Sequence, residues 1–220
     1  MESTALRRVS DGRSNPYGIP ADVQEIFWST LIKELTYDKT AQMVASEQRS
    51  AAIGTVTSMF ILSAERYFEG IVSILKGLRG ESVIYVTTNK PYSYLIRVLH
   101  ENGISTDGFF FIDCISQHVG ERSSDEEVNC IFLETPSDLT TISIAAHEAV
   151  TKLPGDKVLL LDSLSVLLIY NDANAVGKFS NFIINRLRTL GVKTILLALE
   201  TDSRKDIISQ IESLCDEVKR

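Results

Sequence analysis

Residues 157–164 read KVLLLDSL, an apolar run that ends in a carboxylate and a hydroxyl. A continuous apolar run of this length is typical of a strand buried on both faces of a sheet. Comparable runs lie at residues 58–62, 82–87, 109–113, 129–133 and 193–199. Because amphipathic stretches separate most of these runs, the sequence predicts an α/β domain in which helices cover both faces of a parallel sheet.

The helix candidates between these strands follow from three- and four-residue spacing of apolar side chains. Pro91 suits a first helical turn, where its missing N–H costs nothing. Gly103 and Gly191 follow two of the candidates and are typical of helix C-terminal stops. The predicted helices cover residues 67–78, 92–102, 140–153, 173–190 and 204–216.

The chain divides into three predicted regions. Residues 1–20 are rich in serine, glycine and proline, which predicts a flexible tail. Residues 21–56 are predicted to form an N-terminal helical extension, since Val23, Ile26 and Leu31 recur at helical spacing. Residues 57–220 are predicted to form the α/β domain.

Composition narrows the classes of function. The formal net charge is −7, which repels polyanions and disfavours nucleic acid as a partner. The longest apolar stretch, residues 158–170, is too short to span a bilayer, so we expect no membrane insertion. The three cysteines, Cys114, Cys130 and Cys215, form no CxxC pair, which favours a reducing cytoplasm.

The carboxyl ends of the strands are where ligands bind in sheets of this kind. The residues that follow the predicted strands are polar and net acidic. They could jointly hold a cation through hard oxygen ligands, or they could form a solvated acidic rim, which we favour because no close ligand spacing supports a site. The carboxylates concerned are Asp113, Glu134, Asp162, Glu200 and Asp202.

Several of these segments together resemble the RecA/KaiC-like ATPase superfamily, especially its divergent archaeal, recombinase-paralogue members. Residues 157–164 resemble the Walker B strand of that superfamily, and residues 83–91 and 110–116 resemble its second and third strands. Residues 215–218 resemble the start of a further strand. The resemblance covers residues 57–220 and implies a three-layer, RecA-like domain of the P-loop NTPase type.

The resemblance breaks at the phosphate-binding loop. Where the loop is expected after the first strand, residues 63–70 read SAERYFEG, and G-x-x-x-x-G-K-[ST] occurs nowhere in the chain. Such a loop needs glycines for close backbone approach, a lysine for the phosphates and a hydroxyl for Mg²⁺. Losing the lysine and several N–H contacts costs about 5 kcal/mol, or several thousandfold in affinity. We therefore interpret this segment as a degenerate Walker A motif.

Any nucleotide site that remains would use the few polar groups near this loop and the Walker B-like strand. Asp162 is the candidate Mg²⁺ ligand. The alternative interpretation, which we favour, is that Asp162 caps the turn that follows through Ser163. The candidate nucleotide-binding residues are Ser63, Arg66, Gly70, Asp162 and Ser163.

Three hypotheses of different class follow. The first, implied by the resemblance without its loop, is a pseudo-ATPase that needs no cofactor and acts through a protein partner or a homo-oligomer in regulation, signalling or assembly. The second is a divergent ATP-binding protein or ATPase that uses ATP and Mg²⁺. The third is an accessory protein of DNA recombination or repair, with a local basic patch at Arg186, Arg188 and Lys193.

Overall fold

The computed structural model describes residues 55–78, 80–120, 129–200 and 205–220. The predicted flexible tail, residues 1–20, lies outside the described residues. So does the predicted helical extension, residues 21–56, apart from Thr55 and Val56. That division of the chain therefore stays a prediction.

Seven parallel strands form one sheet, in the order β4-β3-β2-β5-β6-β1-β7. This arrangement confirms the predicted α/β class. The chain starts near one edge with β1, crosses two strand positions to β2, builds outward to β4, and returns to place β5 next to β2. The strands are β1 (Thr57–Leu62), β2 (Ser82–Thr87), β3 (Phe109–Asp113), β4 (Cys130–Phe132), β5 (Lys157–Asp162), β6 (Lys193–Leu199) and β7 (Glu217–Lys219).

Helices cover both faces of this sheet. Two of them pack on one face, and the other four contribute to the core on the opposite face. No helix within the described ranges is long and apolar enough to cross a membrane. The helices are α1 (Tyr67–Gly77) and α2 (Tyr92–Glu101) on the first face, and α3 (Leu139–Lys152), α4 (Leu164–Tyr170), α5 (Ala173–Thr189) and α6 (Lys205–Glu212) on the second.

The two halves of the core follow from the alternation of side chains along each strand. On β5, Leu159 and Leu161 pack into the core beneath α3 to α6. Val158 and Leu160 pack into the core beneath α1 and α2. Because successive side chains point to opposite faces, Asp162 lies on the same face as Leu160, the face that α1 and α2 cover.

Most element boundaries agree with the sequence predictions. Strands β2, β3, β5 and β6 span the predicted residues, whereas β4 is shorter than residues 129–133 and α6 ends at Glu212 instead of continuing to residue 216. The strand that the resemblance implied after residue 215 is present as β7, paired with β1.

Helix α4 was not predicted. Its residues Leu164 to Leu168 are all buried, so the stretch carries no amphipathic periodicity and its sequence reads on from β5 as one apolar run. The helix starts at an N-cap serine, Ser163, whose side chain accepts a hydrogen bond from the Val166 N–H. That serine was the available sequence signal for this helix.

Candidate functional site

The site is built around Asp162, the last residue of β5. It lies at the carboxyl edge of the sheet, in register with Thr87 of the neighbouring strand β2. Its side chain is fully buried, with 0% of the residue surface exposed. A buried carboxylate needs hydrogen-bond donors, because leaving it unpaired in the interior costs several kcal/mol.

Two tyrosine hydroxyls supply those donors. The Tyr67 hydroxyl donates to one carboxylate oxygen of Asp162 at 2.6 Å. The Tyr85 hydroxyl donates to the other oxygen at 2.7 Å. Tyr67 is the first residue of α1, and Tyr85 lies within β2, two residues before Thr87 on the same face of the sheet. Three elements therefore meet at one carboxylate, whose two oxygens each accept a hydrogen bond from a phenol.

Burial sets the titration of all three groups. It raises the pKa of the Asp162 carboxyl above its ordinary value, while the two tyrosine hydrogen bonds and the positive charge of Lys90 oppose that rise. Burial likewise raises the pKa of Tyr67 and Tyr85 well above the ordinary tyrosine value, and the adjacent Asp162 charge adds to the rise. Both phenols therefore stay protonated as donors at neutral pH.

The backbone around Asp162 is fixed to β2 by Thr88. The Thr88 hydroxyl donates to the Asp162 carbonyl at 3.0 Å and accepts from the Ser163 N–H at 3.0 Å. The Thr88 N–H also donates to the Asp162 carbonyl, at 2.8 Å. Thr88 itself is fully buried. The position of the carboxylate is therefore held from the backbone side as well as by the two phenols.

The serines after Asp162 have structural partners. Ser163 is buried and accepts from the Val166 N–H at 3.4 Å. Ser165 accepts from the Leu199 N–H at 2.9 Å, which ties α4 to the end of β6. The interpretation that Asp162 caps the turn is wrong in its detail, because Ser163 provides the cap and the Asp162 carboxylate accepts from the tyrosines instead.

The segment in the place of a phosphate-binding loop is a tight turn. Only Ser63, Ala64, Glu65 and Arg66 connect β1 to α1, and the Arg66 N–H closes the turn on the Ser63 carbonyl at 3.2 Å. The Arg66 side chain is 81% exposed and pairs with Glu69 at 3.5 Å. It therefore points to solvent, where an ion pair contributes little.

Gly70 is used for packing. It lies in the first turns of α1, and a Cβ at this position would come within 2.9 Å of the Leu62 side chain. The glycine thus lets α1 approach the end of β1 closely. Of the predicted nucleotide-binding residues, only Asp162 and Ser163 come together as direct neighbours. Ser63, Arg66 and Gly70 lie in or beside the turn that leads into α1.

The acidic rim is less solvated than we expected. Asp113 is fully buried, and its carboxylate accepts from the N–H groups of Tyr92, Ile115 and Ser116 and from the Ser116 hydroxyl, at 2.6–2.8 Å. Glu134 and Glu200 are exposed, and Asp202 lies outside the described residues. Within the described ranges, no group of three or more His, Cys, Asp or Glu side chains is placed to hold a metal ion.

Two of the three residues of the predicted basic patch, Arg188 and Lys193, form ion pairs. Arg188 pairs with Asp216 at 3.1 Å, and Lys193 pairs with Glu81. Both cations therefore already have acidic partners within the chain.

The residues of the candidate site that sequence reasoning missed are Tyr67 and Tyr85. The sequence places Tyr67 at a helix start within the segment that replaces the phosphate-binding loop, and it places Tyr85 in an apolar strand. A signal was available, because a tyrosine inside a buried strand needs a partner for its hydroxyl. The strand-end aspartate of the neighbouring strand was the nearest candidate acceptor.

Comparisons with known proteins agree with this architecture. The sequence profile of the family of unknown function DUF7504 matches residues 75–218. None of the curated proteins matches the chain. Among solved structures, the chain is similar to a KaiC-like protein from the hyperthermophilic archaeon Pyrococcus horikoshii OT3, with a TM-score of 0.52 and 16% identity over 74% of this chain and 69% of that chain.

A second solved structure with some similarity is the flagellar accessory protein FlaH from Methanocaldococcus jannaschii. Its TM-score is 0.49 at 13% identity, over 75% of this chain and 70% of that chain. At such low identity the comparison with the KaiC-like protein concerns the fold alone. The chain therefore has the RecA/KaiC-like fold that the sequence resemblance implied.

The Tyr67–Asp162–Tyr85 interaction is testable by a double-mutant cycle. Tyr67→Phe and Tyr85→Phe should each lower the free energy of unfolding by about 1.5–3 kcal/mol, because each removes a donor to a buried charged group. The double variant should lose less free energy of unfolding than the sum of the two single losses. Without either donor the pKa of Asp162 rises past the working pH, so the carboxylate takes up a proton. Urea unfolding measures all three values.

Tyr94→Phe is the control, because Tyr94 is partly exposed. A Tyr67→Phe effect no larger than this control would contradict the interaction.

The titration of Asp162 gives a second test, with Asp216 as a control of opposite sign. Because the folded pKa of Asp162 is raised, wild type should lose stability relative to Asp162→Asn as pH rises above the ordinary aspartate value. The pKa of Asp216 is lowered, chiefly by the Thr57 N–H, so wild type should gain stability relative to Asp216→Asn as pH rises toward that ordinary value. Unfolding curves across acidic to neutral pH measure both differences. Slopes of the same sign for the two pairs would refute the assignment.

Proposed function

The chain belongs to the family of unknown function DUF7504, and because that family brings no assigned activity, we propose a function from the site itself. We propose that this is a non-catalytic RecA/KaiC-like protein, a pseudo-ATPase that acts through protein contacts in regulation, signalling or assembly. The observation that carries the proposal is the Asp162 carboxylate, which is fully buried and hydrogen-bonded on both oxygens by Tyr67 and Tyr85.

The first support concerns Mg²⁺. This ion requires ionised oxygen ligands in near-octahedral geometry and usually reaches a nucleotide site through an accessible carboxylate. Here a metal would have to displace two phenol hydrogen bonds, each worth about 1.5–3 kcal/mol when the acceptor is charged. The raised pKa of Asp162 works in the same direction, because it disfavours the ionised form that a metal needs. These residues do not fit a nucleotide-bound Mg²⁺ ion.

The second support concerns the phosphates. A phosphate-binding loop offers several backbone N–H groups and a lysine at the start of a helix. The turn from Ser63 to Arg66 has no lysine, and one of its N–H groups is taken by the Ser63 carbonyl. Glu69 places a negative charge in the first turn of α1, where a phosphate would otherwise benefit from the helix dipole. The charge and the geometry of this helix start therefore oppose a bound triphosphate.

We also propose that the protein works in the cytoplasm, binds a protein partner and needs no cofactor. The three cysteines are free thiols, which supports a reducing cytoplasm. The net charge of −7 and the ion pairs of Arg188 and Lys193 favour protein over nucleic acid as the partner. A protein that retains such a fold without its chemistry can still serve as a binding module, because function lies in sites rather than in folds.

Equilibrium binding of a fluorescent ATP analogue with Mg²⁺ tests the proposal. We expect a dissociation constant weaker than about 1 mM, because the missing contacts cost several thousandfold in affinity. The expected weak signal should be the same in Arg66→Ala and Asp162→Asn. Arg66→Ala is a surface change that leaves the fold intact, so it stays informative if Asp162→Asn proves unstable. Micromolar binding that both substitutions abolish would establish the divergent ATP-binding alternative, and tight binding of a DNA duplex would favour the accessory-protein alternative.

A further inference from the structure

A cluster of cations and aromatic rings lies at the carboxyl edge, beside the closed site. The Lys90 ammonium lies 4.9 Å from the ring centroid of Phe68 and 5.5 Å from that of Tyr94. The Arg97 guanidinium lies 5.5 Å from the Tyr94 ring. We call these four residues the Lys90 patch. It joins the first turn of α1, the end of β2 and the first turns of α2.

Among the described residues, the two cations of this patch have no acidic partner. Across the part of the chain that the structure describes, no carboxylate lies within ion-pair distance of Lys90 or Arg97. Six other cations there do form such pairs: Arg66, Lys152, Arg188, Lys193, Lys219 and Arg220. The negative charge that Lys90 does influence is Asp162, and the oxygens of that buried carboxylate already accept from Tyr67 and Tyr85. Among the described residues, the two cations of the patch therefore remain available to an acidic ligand.

The aromatic rings make these cations suitable for recognition. A cation held over a ring face is oriented before binding, so less side-chain freedom is lost when a carboxylate arrives. Tyr94 is one of the few large hydrophobic side chains of the described residues that stay exposed, at 39%. Tyrosine and arginine are also the residue types enriched at interaction hot spots.

We propose that the Lys90 patch docks an acidic segment of a partner protein, with carboxylates on Lys90 and Arg97 and an apolar side chain against Tyr94. This inference rests on the proposed function, since it names the contact surface of the non-catalytic module.

A nucleic acid fits this patch less well than an acidic protein segment. Two cations neutralise too few phosphates to overcome the repulsion of a chain with a net charge of −7. A short acidic peptide can match two cations and one ring without bringing a long polyanion close to the rest of the surface.

The probe is a fluorescein-labelled peptide of glutamates around a central leucine, and its counterpart has glutamine in place of every glutamate. Fluorescence anisotropy with the full chain, at about 50 mM NaCl where surface charges are weakly screened, measures both affinities. We expect saturable binding of the glutamate peptide that weakens with added salt, and little binding of the glutamine peptide. The double variant Lys90→Glu with Arg97→Glu should lower the affinity at least about tenfold, and Tyr94→Ala should also weaken it.

The control matched in charge is the double variant Lys76→Glu with Lys178→Glu, which reverses two exposed cations outside the patch. This control should leave the affinity for the glutamate peptide unchanged. An equal loss of affinity in the control would show that net charge alone explains the effect, which would overturn the proposal. Absence of saturable binding, equal binding of the glutamine peptide, or tighter binding of single-stranded DNA through the same residues would also overturn it. Displacement of the peptide by Mg·ATP would count against both the docking surface and the proposed function. If neither the peptide nor ATP binds, only the docking surface is refuted.

Discussion

The carboxyl edge of this sheet depends on one buried charge that three elements share. Asp162 ends β5, Tyr85 reaches it from β2, and Tyr67 reaches it from the start of α1. Because a buried carboxylate without donors would be strongly destabilising, the positions of both tyrosines are coupled to the position of the aspartate. The first turn of α1 is therefore anchored to the centre of the sheet by a side chain, at the place where an ATPase of this fold would hold a nucleotide.

This anchoring supports the proposal that the chain keeps the fold without the chemistry that the resemblance implies. A Mg²⁺ ligand must be accessible and ionised, whereas here both oxygens of the buried carboxylate are occupied by phenol donors, and burial raises the pKa of Asp162. The short turn from Ser63 to Arg66 is compatible with that closure, because it brings Tyr67 directly to the aspartate. The polar network then stabilises the sheet edge, and the surface that remains for function is the one around it, including the Lys90 patch.

The sequence was sufficient for the strands because each buried strand is a continuous apolar run between turn residues, as in residues 82–87 and 193–199. It was insufficient for α4, because five consecutive buried residues, Leu164 to Leu168, carry no helical periodicity and the start of the helix depended on one serine, Ser163. The sequence singled out Asp162, but it did not reveal the hydrogen-bond partners of this carboxylate. Tyr67 and Tyr85 are separated from Asp162 by 95 and 77 residues along the chain. The strand order, which sets β2 beside β5, brings Tyr85 to Asp162, and the packing of α1 on the same face of the sheet brings Tyr67 to it.

The most direct test of the closed site at Asp162 is a pH titration followed by ¹³C NMR. The chemical shift of the Asp162 carboxyl carbon is measured with and without Mg·ATP. The closed site predicts that this carbon titrates with a pKa above the ordinary aspartate value and that its chemical shift is the same when Mg·ATP is present. A pKa at or below the ordinary value, or a saturable shift on addition of Mg·ATP, would contradict the closed site and show that the carboxylate remains available as a metal ligand.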